Sequence, residues 1–276
     1  MRFGLFFPPF GELSDPGRVA DLAAVAEQAG WSGLFPWDHM LATPGMAVGD
    51  AWIAMAAAAV ATTDIRLGAM VTPLARRRPW VLARQAAALD LLSRGRLVIG
   101  VGLGDDGWKE FSSFGEATDP RERGVLLDES LQVLRGLLTG GAVDFGGQRL
   151  TVHATPFLPR PVQDPLPVWV AGRWPNRRPL ARAARMEGFF PIFPGNPAMP
   201  DAADLAALRA ELGRLGVPPG YDLAVTCELR RLSPAQRSSA LAAAEESGVT
   251  GLLEGFVPGA PAAEVEAAAA AGPWDG

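Results

Sequence analysis

The chain is poorest in the residues that most often carry metal and nucleophilic chemistry. It has one cysteine, Cys227, and two histidines, His39 and His153, in 276 residues. A single cysteine excludes an intramolecular disulfide and any cysteine-based zinc site. The two histidines lie far apart, with no His-x-His or Glu-x-x-His spacing, so the common His-rich zinc and iron centres are excluded and no metal is expected. There is no Gly-x-Ser-x-Gly elbow for serine hydrolysis and no Walker loop for phosphate grip. Long apolar runs are missing too. The longest candidate, AWIAMAAAAVA at Ala51 to Ala61, is far below the roughly 20 residues of a membrane helix. The opening FGLFFPPFG is too short and too proline-rich for a signal peptide. Nor is there an excess of positive charge: 25 Lys+Arg against 30 Asp+Glu leave a net −5. Nucleic acid and anionic membrane are therefore not expected partners. A soluble, cytoplasmic protein is the expectation.

What is present is core-forming material, 49% hydrophobic, cut into a repeating rhythm. FGLFF (Phe3 to Phe7), closed by Pro8-Pro9, reads as a buried first strand. Asp15-Pro16 opens a helix with Val19, Leu22, Ala23, Ala26 and Ala29 on one face and Gly30 as its stop. GLFP, IRLGAMV (Ile65 to Val71) and RLVIGVG follow as strands two to four, with helices between them. Arg121 to Thr139 is helical by its leucine spacing. VDFGGQRLTV (Val143 to Val152), two alternating runs about a Gly-Gly, predicts a hairpin. A proline-rich connection then leads to VWVAG, so residues 141–167 form an insertion between strands four and five. GFFPIF, LAVTCEL and GLLEGF complete eight strands, each followed by a helical segment.

Eight alternating βα units within one domain's length predict an α/β fold of the (β/α)8 TIM-barrel class, with the whole of 1–276 as one domain. An internal echo, EQAGWSGLF (Glu27 to Phe35) and EESGVTGLLE (Glu245 to Glu254), shows the same helix-to-strand turn used twice. The rival is an open doubly wound sheet, which would place a glycine-rich turn after strand one. Phe7-Pro8-Pro9 is the opposite of that.

In a barrel, residues just past the C-terminal ends of the strands face the active site. Asp38 and His39, in LFPWDHM after strand two, therefore stand at the mouth. One reading makes Asp38 a turn cap and His39 a surface or satisfied core residue. The other makes His39 a proton donor or acceptor, or a cofactor ligand. VGLGDDGWKEF supplies a second mouth segment, with Gly102, Gly104 and Asp105 and, beyond them, Trp108 and Glu110. AGRWPNRR supplies a third, where Gly172, Arg173, Asn176 and Arg177 surround a helix start. That is either a phosphate cradle or a basic solvated helix face. Phe10, Trp37, Met40, Trp108, Trp174 and Phe193 suggest an apolar or aromatic pocket, although core packing explains aromatics equally well.

Taken together, AEQAGWSGLFPWDH, RLGAMVTPLARRRPWVLARQAAALDLLSRGRLVIGVGLG, EFSSFGE, LLDESLQVLRGLLTG, PRPVQDPLPVWVAG and RAARMEGFFP resemble the bacterial luciferase-like, flavin- or deazaflavin-dependent oxidoreductases, over nearly the whole chain. The resemblance implies a TIM barrel holding an isoalloxazine-type ring, FMN or coenzyme F420, and hydride transfer or monooxygenation on a small organic substrate. The Trp-Asp-His end of strand two leans towards F420. The resemblance assigns His39, with Asp38, as active-site acid/base beside the ring. It places a non-prolyl cis peptide that backs the ring at Ala69-Met70. It gives Gly102, Gly104 and Asp105 to the ring or its side chain, and Gly172, Arg173, Asn176 and Arg177 to the cofactor phosphate. It leaves open a separate cofactor reductase and a homodimer. Two departures argue against sugar-phosphate oxidation. Thr43 stands where such members have tryptophan, and Asp105 where they have glutamate. The His-His motif of true luciferases is also absent. A non-catalytic flavin-binding barrel is the alternative function, and a cofactor-free barrel hydrolase or isomerase using Asp105 and Glu110 a further one.

Overall fold

The computed structural model describes residues 1–274. Its strands are β1 (Arg2–Phe7), β2 (Gly33–Pro36), β3 (Arg66–Leu67), β4 (Thr72–Pro73), β5 (Ile99–Gly102), β6 (Val143–Gly146), β7 (Thr151–Ala154), β8 (Val168–Arg173), β9 (Gly188–Ile192), β10 (Asp222–Cys227) and β11 (Gly251–Gly255). Between and after them run α1 (Pro16–Gln28), α2 (Ala51–Ala61), α3 (Pro79–Leu92), α4 (Pro120–Leu138), α5 (Arg177–Ala183), α6 (Ala202–Arg214), α7 (Pro234–Glu246) and α8 (Ala262–Ala271). The helix starts follow local chemistry. Asp15, Asp50, Asp119, Asp201 and Ser233 each accept an amide hydrogen bond at an N-terminus. A proline pre-set for the first turn opens α1, α3, α4 and α7. The echoed turns are one device. Gly30 and Gly248 both sit in the left-handed region, at φ 95° and 69°, where a side chain would be strained.

The large sheet is wholly parallel, in the order β3-β2-β1-β11-β10-β9-β8-β5-β4. Its two edges belong to one strand position. β3 pairs with β2 through Gly33 and Arg66, while β4 pairs with β5 through Thr72 and Val101. A bridge from Leu67 to Leu97 spans the gap. The sheet thus closes on itself as a barrel, which disposes of the doubly wound rival. Strand three is not the single run expected at Ile65 to Val71. Residues 68–71 bulge between β3 and β4, because Gly68 and Met70 still donate to Leu34 and Pro36 on the β2 side, whereas Thr72 has crossed to β5.

Phe35, Met70, Val98, Trp169, Ala171, Phe190, Ala224 and Leu253 pack as one cluster inside the barrel. A larger layer, including Phe7, Leu34, Leu67, Ile99, Leu134 and Phe189, lies between strands and helices. At the N-terminal end of the strands Asp222 accepts from Arg2 at 2.6 Å and from the Trp169 indole at 3.2 Å. The expected hairpin between the fourth and fifth barrel strands is β6/β7, paired antiparallel. Its turn is longer than Gly-Gly. Gly147 N still donates across the hairpin to Leu150 O at 2.8 Å, while the Glu129 carboxylate on α4 captures the amides of Gln148, Arg149 and Leu150 at 2.6–2.9 Å, so the turn centres on Gln148-Arg149. The proline-rich connection is anchored in the same way, by Gln163 on the buried Asp90 of α3.

Candidate active site

Trp37, Asp38 and His39 leave β2 at the C-terminal mouth, Trp37 still bonded through its amide to Phe7 O at 2.9 Å. The next two side chains part. Asp38 turns inward and is buried. Arg77 Nη2 lies 2.7 and 2.8 Å from its two carboxylate oxygens, and Arg76 Nη2 donates to its backbone carbonyl at 2.8 Å. Asp38 therefore does not orient His39, as pairing the two adjacent residues would have it. Its partners come from the turn after β4.

His39 turns the other way, its side chain one quarter exposed, and its Nδ1 lies 2.7 Å from Oε2 of Glu110. Three aromatic rings wall it: Trp108 at 4.7 Å, Trp37 at 5.8 Å and Phe10 at 5.9 Å between centroids. Of the six expected pocket residues these three converge. Met40 is half exposed, Trp174 is held by Asp204 at 3.1 Å, and Phe193 packs in the outer core. The second histidine, His153, is exposed on the hairpin and pairs with Asp144 at 2.7 Å.

Glu110 is the group that motif reading left in the background. It is 3% exposed. Its second oxygen accepts from the amides of Met40 and Leu41 and lies 3.7 Å from Arg76. Burial alone would raise its carboxyl. The hydrogen bond and charge of His39, the Met40 amide and Arg76 outweigh burial and hold it below the usual glutamate range. The loop that delivers it is built by Asp106, whose carboxylate accepts from Phe111 N at 2.8 Å and Ser112 N at 3.1 Å. Lys109 there adopts φ 62°, between the two residues that reach His39, Trp108 and Glu110.

The non-prolyl cis peptide falls at Met70-Val71, one bond later than the Ala69-Met70 position, because pairing to the β2 side persists through Met70. Ala69 and Met70 are buried, and Val71 is the half-buried member of the bulge. Glycines on β5 make room for it. A Cβ on Gly100 would lie 2.3 Å from Ala69 O, and one on Gly102 would lie 2.7 Å from Val71 Cγ2. The missing side chain at Gly102 is thus accounted for by the bulge. At Gly104, φ 74°, a Cβ would run into Phe111.

Near the end of β8, Gly172 faces α5, where a Cβ would lie 2.1 Å from Pro179 Cβ. Arg173, Asn176 and Arg177 are exposed. Arg173 lies 3.7 Å from Asp105, so the loops after β5 and β8 meet at the mouth. Facing them, Phe6, Val71 and Ile192 form the half-buried top of the interior cluster. Among the described residues, no group of three or more His, Cys, Asp or Glu is arranged to hold a metal ion.

The sequence pattern of the luciferase-like monooxygenases matches residues 1–274. A curated relative, an F420-dependent glucose-6-phosphate dehydrogenase from Kineococcus radiotolerans, is 31% identical over 169 residues, 58% of this chain and 48% of the relative. The match thus spans about half that protein's length. The fold is shared with the coenzyme F420-dependent tetrahydromethanopterin reductase of Methanopyrus kandleri, at TM-score 0.73, 19% identity and 96% of each chain. It is also shared with a long-chain alkane monooxygenase, at TM-score 0.77, 14% identity, 95% of this chain and 87% of that one.

Proposed function

We propose that this chain, which belongs to the luciferase-like monooxygenase family, is an oxidoreductase that works with a flavin-type cofactor, coenzyme F420 or FMN, on a small organic substrate. The observation that carries the reading is His39, held at the barrel mouth on Glu110 and walled by Phe10, Trp37 and Trp108. An imidazole fixed at the mouth is suited to give or take the proton that accompanies hydride movement.

The mouth residues fit a flat ring. Phe6, Val71 and Ile192 form an apolar floor, and the Trp37 indole N–H is buried without a hydrogen-bond partner. A buried unpaired donor costs about 1–3 kcal/mol, which a ligand acceptor would recover. Val71 and the bulge would back the ring, and the backbone at Gly102 and Gly104 would lie alongside it. Arg173, Asn176 and Arg177 would hold its phosphate, with Asp105 3.7 Å from Arg173. Either cofactor supplies hydride exchange, and reduced FMN also supplies oxygen activation. F420 is favoured by the Asp-His end of β2 and by what the relatives from Kineococcus and Methanopyrus are named for.

Absorbance of the purified protein tests the cofactor: a band near about 420 nm marks the deazaflavin and one near about 450 nm the flavin. His39→Ala should keep cofactor affinity and lower turnover by about 10²–10⁴-fold. Unchanged turnover in that variant would overturn the acid/base role. Arg173→Ala combined with Arg177→Ala should weaken cofactor binding about thirtyfold, since each exposed charged contact contributes roughly 1 kcal/mol. Unaltered affinity would move the phosphate elsewhere.

A further inference from the structure

We infer that Glu110 is the positioning residue of the site, holding His39 as its Nδ1–H tautomer so that Nε2 is the nitrogen presented for proton transfer. The inference rests on the acid/base reading of His39 and concerns how that proton is handled. It begins with what surrounds the Glu110 carboxylate. Oε1 faces three donors, the amides of Met40 and Leu41 and the Arg76 guanidinium. None of them can accept a proton, so Oε1 carries none, and these donors with the Arg76 charge hold the group as the carboxylate, below the usual glutamate range. Oε2 at 2.7 Å from His39 Nδ1 can then be satisfied only by an N–H, which places the neutral ring's proton on Nδ1. Among the described residues no group bonds Nε2, and its lone pair is left for the mouth.

Two further features point the same way. The one carboxylate fixes both the His39 ring and the backbone that follows it, so ring rotation and chain position are locked together. The loop that aims it carries a left-handed Lys109, φ 62°. A non-glycine residue there is strained, which is tolerated where surrounding bonds over-determine it. Here those bonds are the Asp106 contacts to Phe111 and Ser112. Glu110 and Trp108 both reach His39 as a result.

The charges near the ring also balance. Asp38 and Glu110 are offset by Arg76 and Arg77, and on the loop Lys109 is offset by Asp106. Neutral His39 thus sits in a neutral cluster, and a proton arriving at Nε2 adds one positive charge. Glu110 stabilises that charge from 2.7 Å, and aromatic rings at 4.7–5.9 Å tolerate it.

The test uses the chain's scarcity of histidine. With only His39 and His153 present, nitrogen-15 NMR of histidine-labelled protein reads both rings directly, and the exposed His153 serves as internal reference. The wild type should show His39 in the Nδ1–H form above its midpoint. Glu110→Gln should lower the His39 midpoint by about 1 pH unit, a tenfold loss of proton affinity, and leave His153 unmoved. The acid limb of its kcat profile should shift by the same amount. An Nε2–H ring in the wild type, or an unmoved midpoint in Glu110→Gln, would overturn the inference. The wild-type spectrum decides it even if the variant fails to fold. Full turnover in His39→Ala, by contrast, removes the acid/base reading without altering the tautomer.

Discussion

At the scale of single residues, the informative contrast is between Asp38 and Glu110. Asp38 adjoins His39 in the chain, yet its carboxylate faces Arg77 and Arg76, and all three are largely buried. Removing one member of such a group leaves charges uncompensated in a poorly solvated place. Asp38→Ala should therefore cost about 3 kcal/mol in urea unfolding, with loss of activity following loss of fold. A variant of normal stability and slow chemistry would instead make Asp38 a participant in the reaction. His39 was legible in the sequence because a rare residue followed an apolar strand whose end must face the mouth. Its partner was not, because nothing in WDH says that a glutamate 71 positions away is brought back by a loop whose shape depends on Asp106 and a left-handed Lys109. Contacts of that kind are set by tertiary geometry, which leaves no local period to read.

At the scale of elements, the bulge of residues 68–71 and the glycines of β5 form one fitted unit. Gly100→Ala would put a methyl carbon 2.3 Å from Ala69 O and 2.4 Å from Met70 Sδ. Backbone cannot give way cheaply, so the variant should lose about 1–3 kcal/mol of stability. Because the displaced bulge belongs to the mouth, it should also bind cofactor more weakly than Gly124→Ala, where nothing lies within 4 Å. Equal behaviour of the two variants in denaturant and in cofactor titration would contradict this fit. Gly172→Ala, 2.1 Å from Pro179 Cβ, should likewise loosen α5 against β8. The eight βα units were legible because proline and aspartate mark helix starts and because barrel strands are apolar throughout. The split of strand three was not. An apolar run does not record which neighbour each residue pairs with, and here the neighbour changes from β2 to β5 inside the run.

At the scale of the whole molecule, stability should follow the carboxyl groups that the fold holds ionised. Burial raises Glu27, but the amides of Asp64, Thr63 and Ile65 on its carboxylate outweigh that and lower it. Glu110 is lowered by the same balance, with His39 and Arg76 supplying the opposing bonds. The Phe111 amide lowers Asp106, and the Arg18 hydrogen bond lowers Glu266. A carboxyl lowered in the folded state binds its proton more tightly when unfolded. Its contribution is present above the unfolded value, near 4.5 for the glutamates and 3.8 for Asp106, and is lost as pH falls through the folded value. Glu254 works in the opposite sense. Burial raises it despite Arg230, so its contribution is lost as pH rises above 4.5. Four groups against one give a urea midpoint that should fall steadily from about pH 5 to pH 3. Glu27→Gln, which removes the carboxylate that ties the end of α1 to the start of β3, should unfold earlier than wild type at pH 7 and draw level with it near pH 3. A constant gap between the two curves would mean that the Glu27 charge does not secure that joint, and that the three amides are held by the neutral side chain equally well.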